Sequence, residues 1–207
     1  MLQPLVTFPD PRLRKPAKQV PTEHIGTDAV QQLAQDLVDT CNVHYGLGLA
    51  ANQIGCQQSM VVVRPRGVGA ENPDPYEGND KFWVMINPKV TSIVSLENIK
   101  NPEKMDWKEG CLSFPGLEVN VTRYKHINLE WTDLKGMKHS KDFDWPLSGV
   151  IQHEVEHLSG HNMTQGKRRT ARALILSDYK KKLIKKARKE KKAREEEERL
   201  LRELGDE

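Results

Sequence analysis

His153-Glu154-Val155-Glu156-His157 sets two imidazoles four residues apart, with a carboxylate directly after the first. On an α-helix, positions i and i+4 share a face. Both rings can then reach one metal ion while Glu154 addresses a water beside it. That is the chemistry of a hydrolytic metal site: nitrogen ligands, an activated water and a base to handle its protons. The pattern also arises by chance on charged surface helices, where both histidines would be solvated. The flanks argue against that. Leu147, Val150 and Ile151 give an apolar helical stripe, and Ile151 and Leu158 bracket the motif. A buried histidine pair needs partners.

A site of this kind needs a third protein ligand. The protease pattern HExxHxxGxxH is met at Gly160, but Met163 stands where its last histidine belongs, and His161 falls two residues early. The other protease pattern takes a later glutamate, and the next one is Glu190, deep in a charged tail. The third ligand is therefore expected upstream. Cys111, in Glu109-Gly110-Cys111-Leu112-Ser113, is the best candidate, because a thiolate is a strong ligand for Fe(II), Zn or Co. Cys41 lies on an apolar helical stripe and Cys56 has no partner at ligand spacing, so both fit a core role better.

The elements that must carry these residues follow from periodicity. Thr27-Asp28 can cap a helix whose stripe is Val30, Leu33, Leu37, Val38 and Cys41. Gly46–Gln53 is small and glycine-containing, and reads as a loop that another backbone approaches closely. Met60–Val63 and Phe82–Val90 read as strands, and several short strands are expected from Val94 to Phe143. Arg64–Lys81, with three glycines, three prolines and four acids, reads as an exposed loop. The motif helix is expected from Pro146 to about His161.

Charge divides the 207 residues unevenly. Residues 166–207 hold 16 Lys/Arg and 9 Asp/Glu, net +7, which leaves 16 and 20, net −4, for residues 1–165. This suggests a catalytic domain over 1–165 and a charged helical tail over 166–207. Thr170–Leu204 has neither proline nor glycine and is rich in strong helix formers. Lys180–Arg194 carries ten basic residues and one acid, followed by the acidic block Glu195–Glu198. Such a run is either a solvated helix with i,i+4 pairing or a surface for a polyanion such as RNA. Three cysteines argue against a disulfide framework. No apolar run approaches the ~20 residues of a membrane span, and Met-Leu-Gln-Pro does not read as a secretory signal. A cytoplasmic protein without a membrane partner is the expectation.

Gly46-Leu-Gly-Leu-Ala-Ala-Asn-Gln53, Glu109-Gly-Cys-Leu-Ser113 and Gln152-His-Glu-Val-Glu-His157 together resemble, in order, the three motifs of the peptide deformylase family. Pro9-Asp-Pro-Arg-Leu13 is similar to that family's N-terminal segment. The resemblance covers roughly residues 4–165. It implies an α+β fold, with short antiparallel β-sheets packed around a central helix carrying HEVEH. It implies hydrolysis of the N-formyl group from the initiator methionine of nascent polypeptides, releasing formate. Cys111, His153 and His157 would hold one divalent ion, Fe(II) natively, with zinc, nickel or cobalt able to replace it. Glu154 would be the acid–base, and the Leu112 backbone N–H and Gln53 amide would stabilise the oxyanion. Gly48 and Gly110 would bond the peptide main chain, while Leu47, Val150 and His153 line the methionine pocket. Glu109 and Arg123 would form a buried ion pair. In bacterial relatives the C-terminal helix docks on the ribosome, which gives the tail an expected partner. Two positions depart from the family: Glu156 replaces the usual Asp, and Gly149 replaces a bulky apolar residue facing the side-chain pocket. A bacterial, phage or organelle-derived source is compatible. An HExxH peptidase, a deformylase-like binding protein and an RNA-binding protein with a vestigial body are the competing readings.

Overall fold

Met60–Val63 is apolar at every position, which suits a strand covered on both faces. A computed structural model, which describes residues 2–65, 82–92 and 103–205, places it that way. The loop expected over Arg64–Lys81 lies outside the described residues from 66 onward, as does the segment 93–102 containing Val94.

Helix α1 spans Asp28–Val43. The Thr27 hydroxyl donates to the His24 carbonyl instead of capping the helix, while the Thr27 carbonyl accepts from Val30 and Gln31 N–H. Strands β1 (Gly48–Ala50), β2 (Met60–Val63), β3 (Trp83–Ser92), β6 (Ile127–Thr132) and β7 (Lys138–Phe143) form one antiparallel sheet, ordered β1-β2-β3-β6-β7. Strands β4 (Lys104–Gly110) and β5 (Glu118–Tyr124) form a separate antiparallel pair. Helix α2 spans Leu147–Leu158, with Pro146 at its N-cap, one position before the expected first turn.

The sheet has a core on each side. Val61 and Val63 pack with Leu147, Val150, Ile151 and Leu158 of α2. Met60 and Val62 pack with Val30, Ala34, Leu37 and Cys41 of α1. Burying side chains of this size is worth ~1.5–3 kcal/mol each, so both helices are held where β2 lies. The segment Gly46–Gln53, read from sequence as a loop, instead contributes β1 and a 3-10 turn at Ala51–Ile54. Its small residues leave room for helices on both sides, and pairing with β2 supplies the strand bonds that local propensity does not.

The chain divides into two compact units, Met1–Gly166 and Lys167–Glu207. The second is helix α3, Arg169–Gly205. Its surface carries pairs such as Lys186–Glu190 and Lys191–Glu195 at i,i+4 spacing. No helix among the described residues is long and apolar enough to cross a membrane.

Gly160 ends α2 at φ +73, and the N-terminal segment crosses it there. Ala17 N–H donates to Leu158 O at 2.8 Å, and a Cβ added at Gly160 would lie 2.4 Å from Arg14 O. Gly116 has a similar φ of +78 but open space around it. Gly160→Ala is therefore expected to destabilise the fold by ~2–4 kcal/mol, and Gly116→Ala by only ~1 kcal/mol. Denaturant unfolding of both variants checks this, and equal losses would contradict it.

Candidate metal centre

One turn of α2 separates His153 from His157, and the His153 ring meets Glu109 of β4 while the His157 ring meets Cys111. Their Nε2 atoms lie 3.2 Å apart. Cys111, just beyond the end of β4, brings its Sγ to 3.2 Å from His157 Nε2. The three candidate ligand atoms all lie within 4.8 Å of one another. Ligands of one tetrahedral ion with these donors would be about 3.4 Å apart, from ordinary Zn–N and Zn–S lengths. The set fits a divalent cation in chemistry as well. Burial holds His157 well below the ordinary imidazole range, and nearby His153 adds to that. Burial also opposes charge on His153, yet hydrogen bonds to Cys111 and Glu109 raise it well above that range. One buried imidazole is thus held neutral and the other draws positive charge beside a sulfur atom, a donor set that could hold a metal ion.

Glu109, on the inward face of β4, orients this group. Its Oε2 lies 2.8 Å from His153 Nδ1, leaving Nε2 free to point at the centre. Arg123 on β5 donates from Nε to Oε1 at 2.8 Å and from Nη2 to Oε2 at 2.9 Å. Burial by itself would raise the Glu109 carboxyl, but hydrogen bonds from His153 and Arg123 outweigh it and bring the pKa to about 2. Glu156 takes the remaining Arg123 nitrogen, accepting from Nη1 at 2.5 Å. Position 156 thus places a second carboxylate on the same guanidinium.

A cavity of about 720 Å³ opens over the centre. Gly48, Leu47, Gln53, Glu109, Gly110, Cys111, Leu112, Val150, His153 and Glu154 all line it, so the expected catalytic and substrate-facing residues share one space. Glu154 is 4% exposed, and its Oε2 has no hydrogen-bond partner among the described residues. Burial pushes its carboxyl up to about 7. Gly48 gives that side chain room, because a Cβ there would lie 2.7 Å from Glu154 Oε1. Gln53 is fixed by accepting from Ala50 N–H at 2.8 Å, which turns its Nε2 toward Ser113 Oγ at 3.2 Å and Cys111 Sγ at 3.5 Å. Cys41 and Cys56 are not part of this group. Cys41 is fully buried, and burial pushes its thiol up to about 12.

Three contributors escaped the sequence reading. Asn52 donates from Nδ2 to the His157 carbonyl, tying the first motif to α2. Ser113 holds the Gln53 amide. Both lay inside motifs already singled out. Trp107 Nε1 donates to Glu109 Oε1 at 2.8 Å. Its signal was strand periodicity, since it sits two residues before Glu109 on the same face.

The chain is similar in sequence and in fold to peptide deformylases. A peptide deformylase of Acinetobacter baumannii is 36% identical over 159 residues, covering 77% of this chain and 79% of its own. One from Bartonella tribocorum is 33% identical over 181 residues, covering 87% and 93%. The crystal structure of peptide deformylase from Ehrlichia chaffeensis superimposes with a TM-score of 0.72 at 27% identity, over 90% of this chain and 99% of that one. One from Legionella pneumophila gives 0.72 at 26% identity, over 91% and 99%. The polypeptide deformylase family model matches residues 2–172. With most of its length matched, both in sequence and in fold, the chain belongs to the peptide deformylase family.

Proposed function

We propose that this centre carries out the family's reaction, hydrolysis of the formyl–nitrogen bond of N-formyl-methionyl nascent peptides, with its residues in the following roles. The observation that carries the reading is the buried Glu154 Oε2, without a hydrogen-bond partner among the described residues, beside the converging Cys111, His153 and His157 atoms. When bound, a divalent ion on those three residues supplies a Lewis acid that makes water nucleophilic near neutral pH. Glu154 takes the proton of the attacking water and returns it to the leaving amine, giving formate and a free α-amine. The Gln53 amide and Leu112 N–H stabilise the oxyanion, where loss of one such donor costs ~3–4 kcal/mol. Gly48 and Gly110 bond the peptide main chain, and Leu47 and Val150 flank the methionine side chain. Glu109, Arg123 and Glu156 keep His153 oriented. Fe(II) is the proposed native metal.

We infer a catalytic domain over 1–165 and a tail over 166–207 that docks on ribosomal RNA, in the cytoplasm. The ten basic residues of Lys180–Arg194 on an uninterrupted helix support that docking.

Glu154→Ala is expected to cut formate release from formyl-Met-Ala by about 10²-fold or more while leaving one metal per chain. Undiminished release would remove Glu154 from its role. Glu109→Gln is expected to weaken metal retention about 10–100-fold in chelator competition. For the tail, deletion of 166–207, or Lys→Gln changes across 180–194, is expected to weaken ribosome sedimentation and spare turnover of a short formyl-peptide. Equal ribosome affinity with and without the tail would exclude the docking role.

A further inference from the structure

We propose that Asn52 is a positioning residue for the candidate metal ligand His157. Its amide oxygen holds the His157 Nδ1–H through one buried water, which keeps the ring's Nε2 turned to the centre. The proposal rests on the reading of Cys111, His153 and His157 as metal ligands, and not on the formyl-peptide reaction. It starts from two buried polar atoms without a hydrogen-bond partner among the described residues, Asn52 Oδ1 and His157 Nδ1. They belong to residues already joined, because Asn52 Nδ2 donates to the His157 carbonyl. Asn52 is fully buried and His157 is 1% exposed, so bulk water serves neither atom. Polar groups placed in this way are ordinarily satisfied, often by an ordered water.

The two atoms are complementary. His157 Nε2 lies 3.2 Å from Cys111 Sγ and 3.2 Å from His153 Nε2. That places its lone pair at the centre and leaves the ring proton on Nδ1. The His157 carbonyl orients the Asn52 amide: the amide nitrogen must face that oxygen, so Oδ1 stays an acceptor. A carboxylate could not do both, and an apolar side chain could do neither. The Asn52 backbone is fixed in the 3-10 turn Ala51–Ile54, where Gly55 N–H donates to its carbonyl. Successive residues of such a turn fan out by about 120°, and the next one, Gln53, sends its Nε2 to Cys111 Sγ at 3.5 Å. One turn thus addresses two of the three candidate ligands with neighbouring amides. Glu109 performs the matching task for the third, at 2.8 Å from His153 Nδ1. Removing a group that holds the far nitrogen of a ligating histidine weakens metal affinity about 10–100-fold.

The test uses the full chain and Co(II) as the probe metal. Asn52→Val and Asn52→Thr are nearly isosteric, but only the second keeps a hydroxyl that both donates and accepts. Asn52→Val is expected to retain Co(II) about 10–100-fold less well in chelator competition, and Asn52→Thr to stay close to wild type. In the Co(II)-loaded protein, NMR follows the exchangeable His157 ring N–H. Its proton is expected to exchange with solvent faster in Asn52→Val than in wild type or Asn52→Thr. Asn52→Ala serves if Asn52→Val does not fold. Equal Co(II) retention by Asn52→Val and Asn52→Thr overturns the proposal. So does lower unfolding stability of Asn52→Val with metal retention and the ring proton unchanged, which would leave Asn52 only a tie between the first motif and α2. A wild-type chain that takes up no Co(II) overturns the metal reading, and the proposal with it.

Discussion

One buried carboxylate joins the three elements that the centre needs. Glu109 receives Arg123 twice, Trp107 once and His153 once, so β4, β5 and α2 meet at two oxygen atoms. Taking a carboxylate and a guanidinium out of water costs several kcal/mol per ion, and only a fully satisfied arrangement offsets it. Here the lone pairs are used on both oxygens. Among the described residues the β4–β5 pair shares no strand bonds with the five-stranded sheet. The carboxylate fastens it to α2, and Cys111 follows two residues after Glu109. The sulfur is near the two imidazoles because the glutamate is.

The other side of the centre is tied by backbone and amide groups. Asn52 holds the His157 carbonyl, and Gln53 reaches Ser113. The N-terminal segment stitches the same two motifs from outside, with Val6 N–H on Gln53 O and Phe8 N–H on Ser113 O. Each of the three motif segments therefore contacts another through a directional bond as well as through packing. Positions fixed in that way lose little freedom when substrate arrives, which is what preorganised catalysis requires.

Much of this was legible in the residues. HEVEH on an apolar stripe implied a buried metal helix, and the failure of both protease patterns pointed upstream to Cys111. Helix α1 and strand β2 followed from periodicity. What the sequence misjudged was set by distant neighbours. Gly48–Ala50 has no intrinsic strand preference and is a strand because β2 pairs with it. Thr27 looked like a side-chain cap, but its hydroxyl found His24 first. The space beside Gly149 is filled by Trp145, four residues before it, and Trp107, forty-two before it. No local pattern exposes the Trp107 contact, because Trp107 lies on β4 and Gly149 on α2.

Strand β2 carries a consequence for folding fidelity. In a half-exposed strand, a one-residue slip would turn apolar side chains to water and be rejected. Met60–Val63 is apolar on both faces, so a slip would lose little hydrophobic energy. Its alignment must be enforced at its ends. Ser59 N–H bonds Lys18 O, Asn87 N–H bonds Ser59 O, and Arg64 N–H bonds Leu47 O. Those pins decide that Gly48 faces Val63. A displaced partner would bring a side chain to the spot where Glu154 has space only against glycine. An error of register in this chain would therefore be opposed by the bonds lost at the ends of β2 and hardly by exposure of its apolar faces.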